Sequence, residues 1–264
     1  RYGEMTDLYD RPYQTDYRNS VWNCGILPVY RQQLYSVYGE YKSTAREFFA
    51  TVNLTHNREW YNRIYEQRIE NGQVQRVSLP LSNHGSGYTV KSTLSKGFYD
   101  LGLKTSLMAL LNISKAEQIS GGQRLPYQYR LMRLEPKVIW TPNRHWETSY
   151  QTDIRYGGSK IGERTRLAPL WNVIQQVQLS YIFSPIEASL SVDHYHNDVN
   201  EDQSVNAVFA DFSVSWKSGR WQITATATNL FDKRTYAYTR YASLESYTSW
   251  VRIRPREFLV AIRY

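Results

Sequence analysis

The sequence predicts an all-β protein, an antiparallel transmembrane β-barrel of which this chain supplies about eleven strands. Three features favour this fold: alternating segments of about ten residues, an excess of Tyr and Trp, and an alternating strand that ends the chain. In residues 258–264 one face carries Phe258, Val260, Ile262 and Tyr264, because successive strand side chains point to opposite faces. We expect this strand to face lipid and to serve as the assembly signal. A closing edge strand of a soluble β-domain is the alternative.

Composition supports a barrel over membrane helices. Hydrophobic residues make up 41% of the 264 residues, and no run of about 18 apolar residues could form a spanning helix. A barrel strand needs only half its residues on lipid, because the other half line a polar lumen. The chain has 23 Tyr and 8 Trp but only 8 Phe, and membrane interfaces favour such amphipathic rings.

Charge and cysteine content exclude other classes. The 32 Lys and Arg exceed the 24 Asp and Glu by eight, but the basic residues are scattered, so nucleic acid is not an expected partner. Anionic headgroups or an acidic solute fit this excess better. The single cysteine, Cys24, excludes a disulfide within the chain. The first residues do not have the pattern of a secretory signal, so we expect either a mature chain or an incomplete one.

The clearest strands lie near the end of the chain. Residues 208–216 alternate between an apolar face ending in Trp216 and a polar face that includes Asp211. After the link 217–220, the apolar face resumes at Trp221. Two tryptophans bracketing a turn on one apolar face indicate the aromatic girdle of a barrel.

Charged residues occupy the opposite faces of other strands. The candidate residues for contact with solute in the lumen are Arg133, Glu135, Lys137, Glu147, Asp153 and Arg155. Burying so many ionised groups in a dry core would cost several kcal/mol each unless they were paired. A water-filled lumen avoids that cost. For these charged residues, pairing across strands or contact with a plug is favoured over contact with solute.

Connections alternate in length. Short turns near 43–45, 96–99, 141–145, 184–186 and 217–220 interleave with long polar segments near 57–86, 114–127, 157–170, 197–204 and 229–249. Outer-membrane barrels have short periplasmic turns and long extracellular loops. Counting from residues 33–41 gives about eleven strands, an odd number, with 1–29 as an extracellular loop. We therefore expect residues 1–264 to be the carboxy-terminal half of a roughly 22-stranded barrel, with the plug domain and the first half outside this chain.

The last two predicted strands resemble a known family. The run 221–233 contains Asn229, Leu230, Phe231 and Asp232, and is followed by Tyr236 and then by Arg254, Pro255 and Arg256. This pattern resembles the carboxy-terminal signature of TonB-dependent outer-membrane receptors, over about residues 219–264. The chain departs from it by ending in Tyr rather than Phe. It also lacks the amino-terminal plug and the energy-coupling box.

The resemblance implies active import, without catalysis or a cofactor. The expected solute is bulky and scarce: a metal chelate, cobamide, oligosaccharide or peptide. The implied partners are outer-membrane lipid, the chain's own plug and amino-terminal barrel half, the inner-membrane TonB complex and the barrel assembly machinery; a surface lipoprotein is left open. The alternatives are a scaffold barrel in a larger outer-membrane assembly, a passive porin and a barrel enzyme.

The remaining candidates are weaker. His194 and His196 share a strand face and are candidate metal ligands. Their parity points them outward, so a polar extension of the strand is the favoured role. Aromatic residues of the predicted extracellular loops could stack on a sugar or chelate ring, and loop packing is the alternative role. These candidates are Trp60, Tyr61, Tyr65, Tyr238 and Tyr241.

Overall fold

The computed structural model describes residues 4–17, 19–70, 73–162, 165–199, 203–242 and 245–264. It is all-β, with 78% of the described residues in strands and 3% in helix. In the described residues there are two short 3₁₀ turns, Met5–Leu8 and Tyr99–Leu101, and no helix long and apolar enough to cross a membrane. The strands are β1 Tyr13–Gln14, β2 Asn19–Trp22, β3 Tyr30–Ser43, β4 Phe48–Tyr61, β5 Ile64–Glu70, β6 Gln73–Leu79, β7 Asn83–Phe98, β8 Leu103–Ser120, β9 Gln123–Asn143, β10 Trp146–Ile161, β11 Thr165–Phe183, β12 Ile186–Asp198, β13 Ser204–Ser218, β14 Trp221–Thr228, β15 Thr235–Ala242, β16 Glu245–Arg252 and β17 Glu257–Arg263.

A long antiparallel series forms the body of the fold. Its order is β3, β4, β7, β8, β9, β10, β11, β12, β13, β14 and β17, each strand paired with the next. Residues directly opposite each other in paired strands share a face. The registers therefore define one outer face and one inner face across the whole series.

The outer face is apolar and exposed. Leu54, Leu94, Leu111, Phe212 and Ile262 lie on it, each at least 40% exposed. Aromatic residues concentrate at its two ends. At the short-turn end are Phe98, Trp140, Trp146, Tyr181, Phe183, Trp216, Trp221 and Tyr264, and at the other end are Tyr35, Tyr88, Tyr156 and Trp171. We call these two rows the lower and upper aromatic belts.

Aromatic rings pair across strands within each belt. The Trp146 and Tyr181 ring centroids are 4.7 Å apart in the lower belt, and those of Tyr156 and Trp171 are 4.7 Å apart in the upper belt. Trp221 and Tyr264 form a third pair, also at 4.7 Å. Such pairs hold neighbouring strands in register as well as covering apolar surface.

The predicted strand count is wrong: the described residues contain 17 strands, not about eleven. The six additional strands come from predicted loops. β5 pairs with β6, β15 pairs with β16, and β1 and β2 extend the β5–β6 pair through a parallel contact between β2 and β6. Both faces of such segments can be wet, so their sequences lack the alternation by which a strand is recognised.

Several predicted long connections are also shorter than expected. β8 and β9 continue to a two-residue turn at Gly121 and Gly122, within the predicted loop 114–127. Gly157 and Gly158, at the start of the predicted long segment 157–170, lie inside β10 at a bulge that shifts its register with β11. Glycine tolerates such bulges, so an isolated Gly pair does not distinguish a bulge from a turn.

The sheet is not closed by the described residues. Among the described residues, β3 pairs only with β4, and β17 pairs only with β14. Both faces of β17 are exposed: Val260 on the outer face is 65% exposed and Leu259 on the inner face is 66% exposed. The two outermost strands thus present unpaired backbone hydrogen-bonding groups, which proteins normally cover or pair.

We predict that Gly102→Ala destabilises the fold more than Gly219→Ala does. Both glycines have positive φ, +59° and +60°, which costs an alanine about 1–2 kcal/mol. A Cβ on Gly102 would also collide with the backbone oxygen of Thr141, whereas one on Gly219 meets nothing within 4 Å. The collision should raise the total loss to about 2–4 kcal/mol. Urea unfolding of the two purified variants measures the difference, and equal losses would contradict the prediction.

Candidate functional site

Three cavities follow one another along the inner face of β9. The outer cavity, about 630 Å³, includes Tyr127; the middle cavity, about 550 Å³, includes Tyr129 and Arg133; the lower cavity, about 250 Å³, includes Lys137. These residues have the same parity on one strand and thus form a single line. The line runs from the Gly121 turn toward the short turn after Asn143. The inner face therefore offers a series of polar and aromatic recesses.

Ion pairs form one wall of the middle cavity. The Arg133 guanidinium donates two hydrogen bonds to Asp153, from Nε to Oδ1 at 3.0 Å and from a terminal nitrogen to Oδ2 at 2.9 Å. Arg155 approaches the same carboxylate at 2.6 Å, and Glu135 also contacts Arg133. Two cations and two anions thus compensate each other. The Arg155 side chain remains 47% exposed and can still meet a solute.

Aromatic residues of the β15–β16 hairpin, which precedes the last strand, form another part of the middle cavity. Tyr236 and Tyr238 both line it. Asn197, which is buried at the end of β12, donates a side-chain hydrogen bond to the Tyr236 hydroxyl. The Tyr236 ring also meets the rings of Tyr195 and Phe209, with centroids 5.3 and 6.4 Å away. These contacts hold the hairpin against the inner face of β12 and β13.

The signature residue Asn229 fixes the base of this hairpin. Asn229 follows β14 with φ +51°, a left-handed conformation that Asn adopts more readily than most residues. Its Nδ2 donates to the carbonyl oxygens of Lys233 at 2.8 Å and Arg254 at 2.9 Å, and its Oδ1 accepts from the Lys233 amide. The Asn229 amide donates to Asp211 of β13 at 2.7 Å. One buried side chain therefore ties both ends of the hairpin together.

The other signature residues have structural positions as well. The Arg256 amide donates to Asp232 at 2.9 Å, and together with the Arg234 guanidinium it holds the pKa of Asp232 below its usual value. The Leu230 amide donates to the Ala210 carbonyl at 2.8 Å, while Phe231 is 56% exposed. Arg254, Pro255 and Arg256 form the connection between β16 and β17. This segment shapes the loop and does not line the middle cavity.

Loop aromatics occupy two further recesses. Tyr65 lines the outer cavity, where the Arg76 guanidinium lies 3.7 Å from its ring centroid, and burial raises the pKa of the Tyr65 hydroxyl. Trp60 and Tyr61 line a separate cavity of about 740 Å³ beside β3. Burial and a 2.8 Å hydrogen bond to Glu59 raise the pKa of Tyr61. The side chain of Tyr241 lies outside the described residues.

The predicted lumen residues all lie on the inner face, but not in one place. Arg133, Asp153 and Arg155 line the middle cavity together with the loop candidate Tyr238. Glu135 and Lys137 line the lower cavity. Glu147 lies opposite Ser180 near the short turns and lines none of the four cavities described above.

The structure adds cavity residues that the sequence did not indicate. Asn172 and Asn197 line the middle cavity, and the Asn172 Oδ1 is buried without a hydrogen-bond partner in the described part of the chain. Gly157 lines it too, because its missing side chain leaves room beside Tyr129. Asn and Gly are usual in turns, so only the strand register identifies them as wall residues.

The candidate metal ligands do not come together as a site. His194 hydrogen-bonds Gln175 at 3.1 Å, and His196 contacts Asn206 at 2.9 Å and Asp198 at 3.2 Å. Both histidines lie on the outer face, opposite Val208 and Val173 respectively. Within the described part of the chain, no three His, Cys, Asp or Glu side chains are grouped so that they could hold a metal ion.

Comparisons with known proteins give little further information. No known protein family and no curated protein matches the chain. Among solved structures, the chain is similar to the translocator domain of the autotransporter NalP from Neisseria meningitidis. The identity is 10%, the alignment covers 92% of this chain and 82% of that one, and the TM-score is 0.30.

We predict that Asn229→Ala releases the β15–β16 hairpin from the inner face. The substitution removes three side-chain hydrogen bonds at a buried position and should cost about 3 kcal/mol locally. Trypsin should then cleave after Lys233 or Arg234 much faster than in the unaltered protein. Phe231→Ala, in the same segment but at an exposed side chain, is the control and should leave cleavage unchanged. Equal cleavage of both variants would contradict a locking role for Asn229.

Proposed function

We propose that the chain is the carboxy-terminal part of an outer-membrane β-barrel receptor that imports a bulky solute. The main support for a membrane barrel is the pair of aromatic belts on an exposed apolar face. Tyr88 and Phe98, Trp146 and Tyr156, and Trp171 and Tyr181 are each ten residues apart on one strand. Ten residues span about 33 Å along a strand, or roughly 25 Å after a tilt of about 40°. That height equals the apolar band of outer-membrane barrels.

The inner face supports transport rather than a purely structural role. Three cavities in line along β9 could accept a solute in successive positions between the long-loop end and the short-turn end. Their walls combine Tyr side chains with hydrogen-bonding and charged groups, as small-molecule sites usually do. A metal chelate, cobamide, oligosaccharide or peptide is the proposed class of solute.

Open edges support the proposal that further strands complete the barrel. β3 and β17 each have one unpaired side in the described residues. Unpaired backbone groups within a bilayer cost several kcal/mol each, so lipid would not cover these edges. We propose that an amino-terminal barrel half pairs with both of them and that a plug fills the lumen. The inner-membrane TonB complex would then supply energy, and the assembly machinery would insert the barrel.

Whole-cell uptake tests the proposal. Cells that produce the full-length protein are given a radiolabelled ferric chelate, cobamide, oligosaccharide or peptide, with and without an active inner-membrane energy-coupling complex. Uptake of one class that stops when energy coupling is removed supports the receptor. Uptake that is insensitive to energy would indicate a porin, and no uptake of any class would favour a scaffold barrel.

We predict that Gly157→Phe reduces this uptake by more than about tenfold, because its ring would enter the middle cavity. Gly157 and Gly158 are neighbours in β10, and a Cβ added to either would make ordinary contacts, at 3.6 Å to Tyr129 and 3.5 Å to Pro169 respectively. Gly158 belongs to the outer face, so Gly158→Phe is a matched control that should preserve uptake. Outer-membrane levels are measured by immunoblot for both variants. Equal uptake by both would contradict a solute path through the middle cavity.

We also predict that Tyr264→Asp lowers the amount of protein in the outer membrane. Tyr264 packs against Trp221 in the lower belt, and a carboxylate there would meet the lipid interface and the assembly signal. Tyr264→Phe keeps the ring and should accumulate normally. Quantitative immunoblots of purified outer membranes provide the measurement. Normal levels of the Asp variant would show that the terminal residue is dispensable for insertion.

A further inference from the structure

Three basic residues form a compact group on the outer face, immediately beyond the upper aromatic belt. They are Lys115 of β8, Arg130 of β9 and Lys160 of β10. Lys115 and Lys160 both lie opposite Gln128, and Arg130 is two residues along β9 from Gln128. Two inter-strand spacings separate Lys115 from Lys160, about 10 Å between backbones. We call this group the cationic collar.

The collar lies at the level where a bilayer becomes polar. Arg130 is two residues beyond Met132, which lies opposite the belt residue Tyr156. Lys160 is four residues beyond Tyr156 on the same strand and the same face. Its Cα is therefore about 13 Å along the strand from the ring that marks the apolar boundary. Long basic side chains at this depth reach headgroups while their aliphatic parts stay on apolar surface.

The charges of the collar are not compensated by protein groups among the described residues. None of the three side chains forms an ion pair there. Lys115 and Arg130 are also exposed. The outward-facing carboxylate of Glu117, two residues from Lys115, is engaged by Arg124. Three adjacent cations repel one another, so their grouping indicates an external anion.

We propose that the cationic collar binds the phosphate of an outer-leaflet lipid headgroup. A phosphate fits the gap between the three side chains, since Arg can bind two of its oxygens and each Lys adds a point charge. Attraction of basic residues to anionic headgroups is substantial near a membrane surface and falls off within a Debye length. The collar would give the barrel a fixed lipid neighbour over β8, β9 and β10. This inference depends on the proposed membrane insertion.

The test uses the full-length protein in nanodiscs of phosphatidylcholine that contain a small fraction of lipid A, a phosphorylated glycolipid. Native mass spectrometry counts the lipid A molecules that remain bound. The altered protein combines Lys115→Gln, Arg130→Gln and Lys160→Gln. The control combines Arg46→Gln, Arg144→Gln and Arg220→Gln, which removes the same charge from three exposed short-turn residues at the opposite end.

We predict that the collar variant loses lipid A affinity by roughly 100-fold, about fivefold for each basic residue removed, while the short-turn control keeps it. Binding should weaken in high salt. Undiminished lipid A binding by the collar variant would overturn the proposal, and so would an equal loss in the control. Displacement of lipid A by an equal concentration of inorganic phosphate would show a site for a soluble anion and would also overturn the proposal. Failure of the unaltered protein to enter nanodiscs would refute membrane insertion itself, which separates the two proposals.

Discussion

The antiparallel register that runs from β3 to β17 decides which side chains lie on each face of the sheet. Every pairing places opposite residues on one face, so a slip of a single residue would exchange apolar and polar side chains over a whole strand. The register brings Trp146 next to Tyr181 on the outside and Asp153 next to Ile174 on the inside. It also places Arg133 directly opposite Arg155, a like-charge pair that is unfavourable by itself. Asp153 bridges both guanidinium groups, so one carboxylate offsets a repulsion that the register imposes.

Sequence alternation predicted the faces of the long strands because the outer face must stay apolar along the whole span. Residues such as Phe212 and Ile223 could be assigned to the outer face from the two-residue period alone. The candidate lumen charges all have the opposite parity. The prediction from alternation was wrong where water contacts both faces of a strand. The hairpins β5–β6 and β15–β16 and the extensions of β8 and β9 thus appeared to be loops. The cavity was predictable only in part, since Arg133 and Asp153 were visible as charges whereas Gly157 and Asn197 had no distinguishing pattern.

The signature around Asn229 has a structural explanation. Its side-chain hydrogen bonds join Lys233 and Arg254, which flank the β15–β16 hairpin. The Asn229 backbone amide donates to Asp211 on the inner face. These contacts direct the hairpin toward β12, where Tyr236 meets Asn197. A recognisable motif in this chain therefore positions the aromatic residues of the cavity without lining it. Solute specificity would depend on residues such as Tyr238 and Asn172, whose identities follow no general pattern.

The distribution of ion pairs shows which of the positive charges behind the net charge of +8 are compensated by nearby carboxylates. Inside, the cations of the middle cavity are compensated: Arg133 and Arg155 share Asp153, and Glu135 adds a second anion. A solute there would meet hydrogen-bonding groups, tyrosines and the exposed side of Arg155, with little long-range attraction for an anion. Outside, the collar cations have no acidic partner among the described residues. The positive excess is therefore better suited to an anionic membrane surface than to an acidic cargo, because only uncompensated charge produces a field that extends beyond a few ångströms.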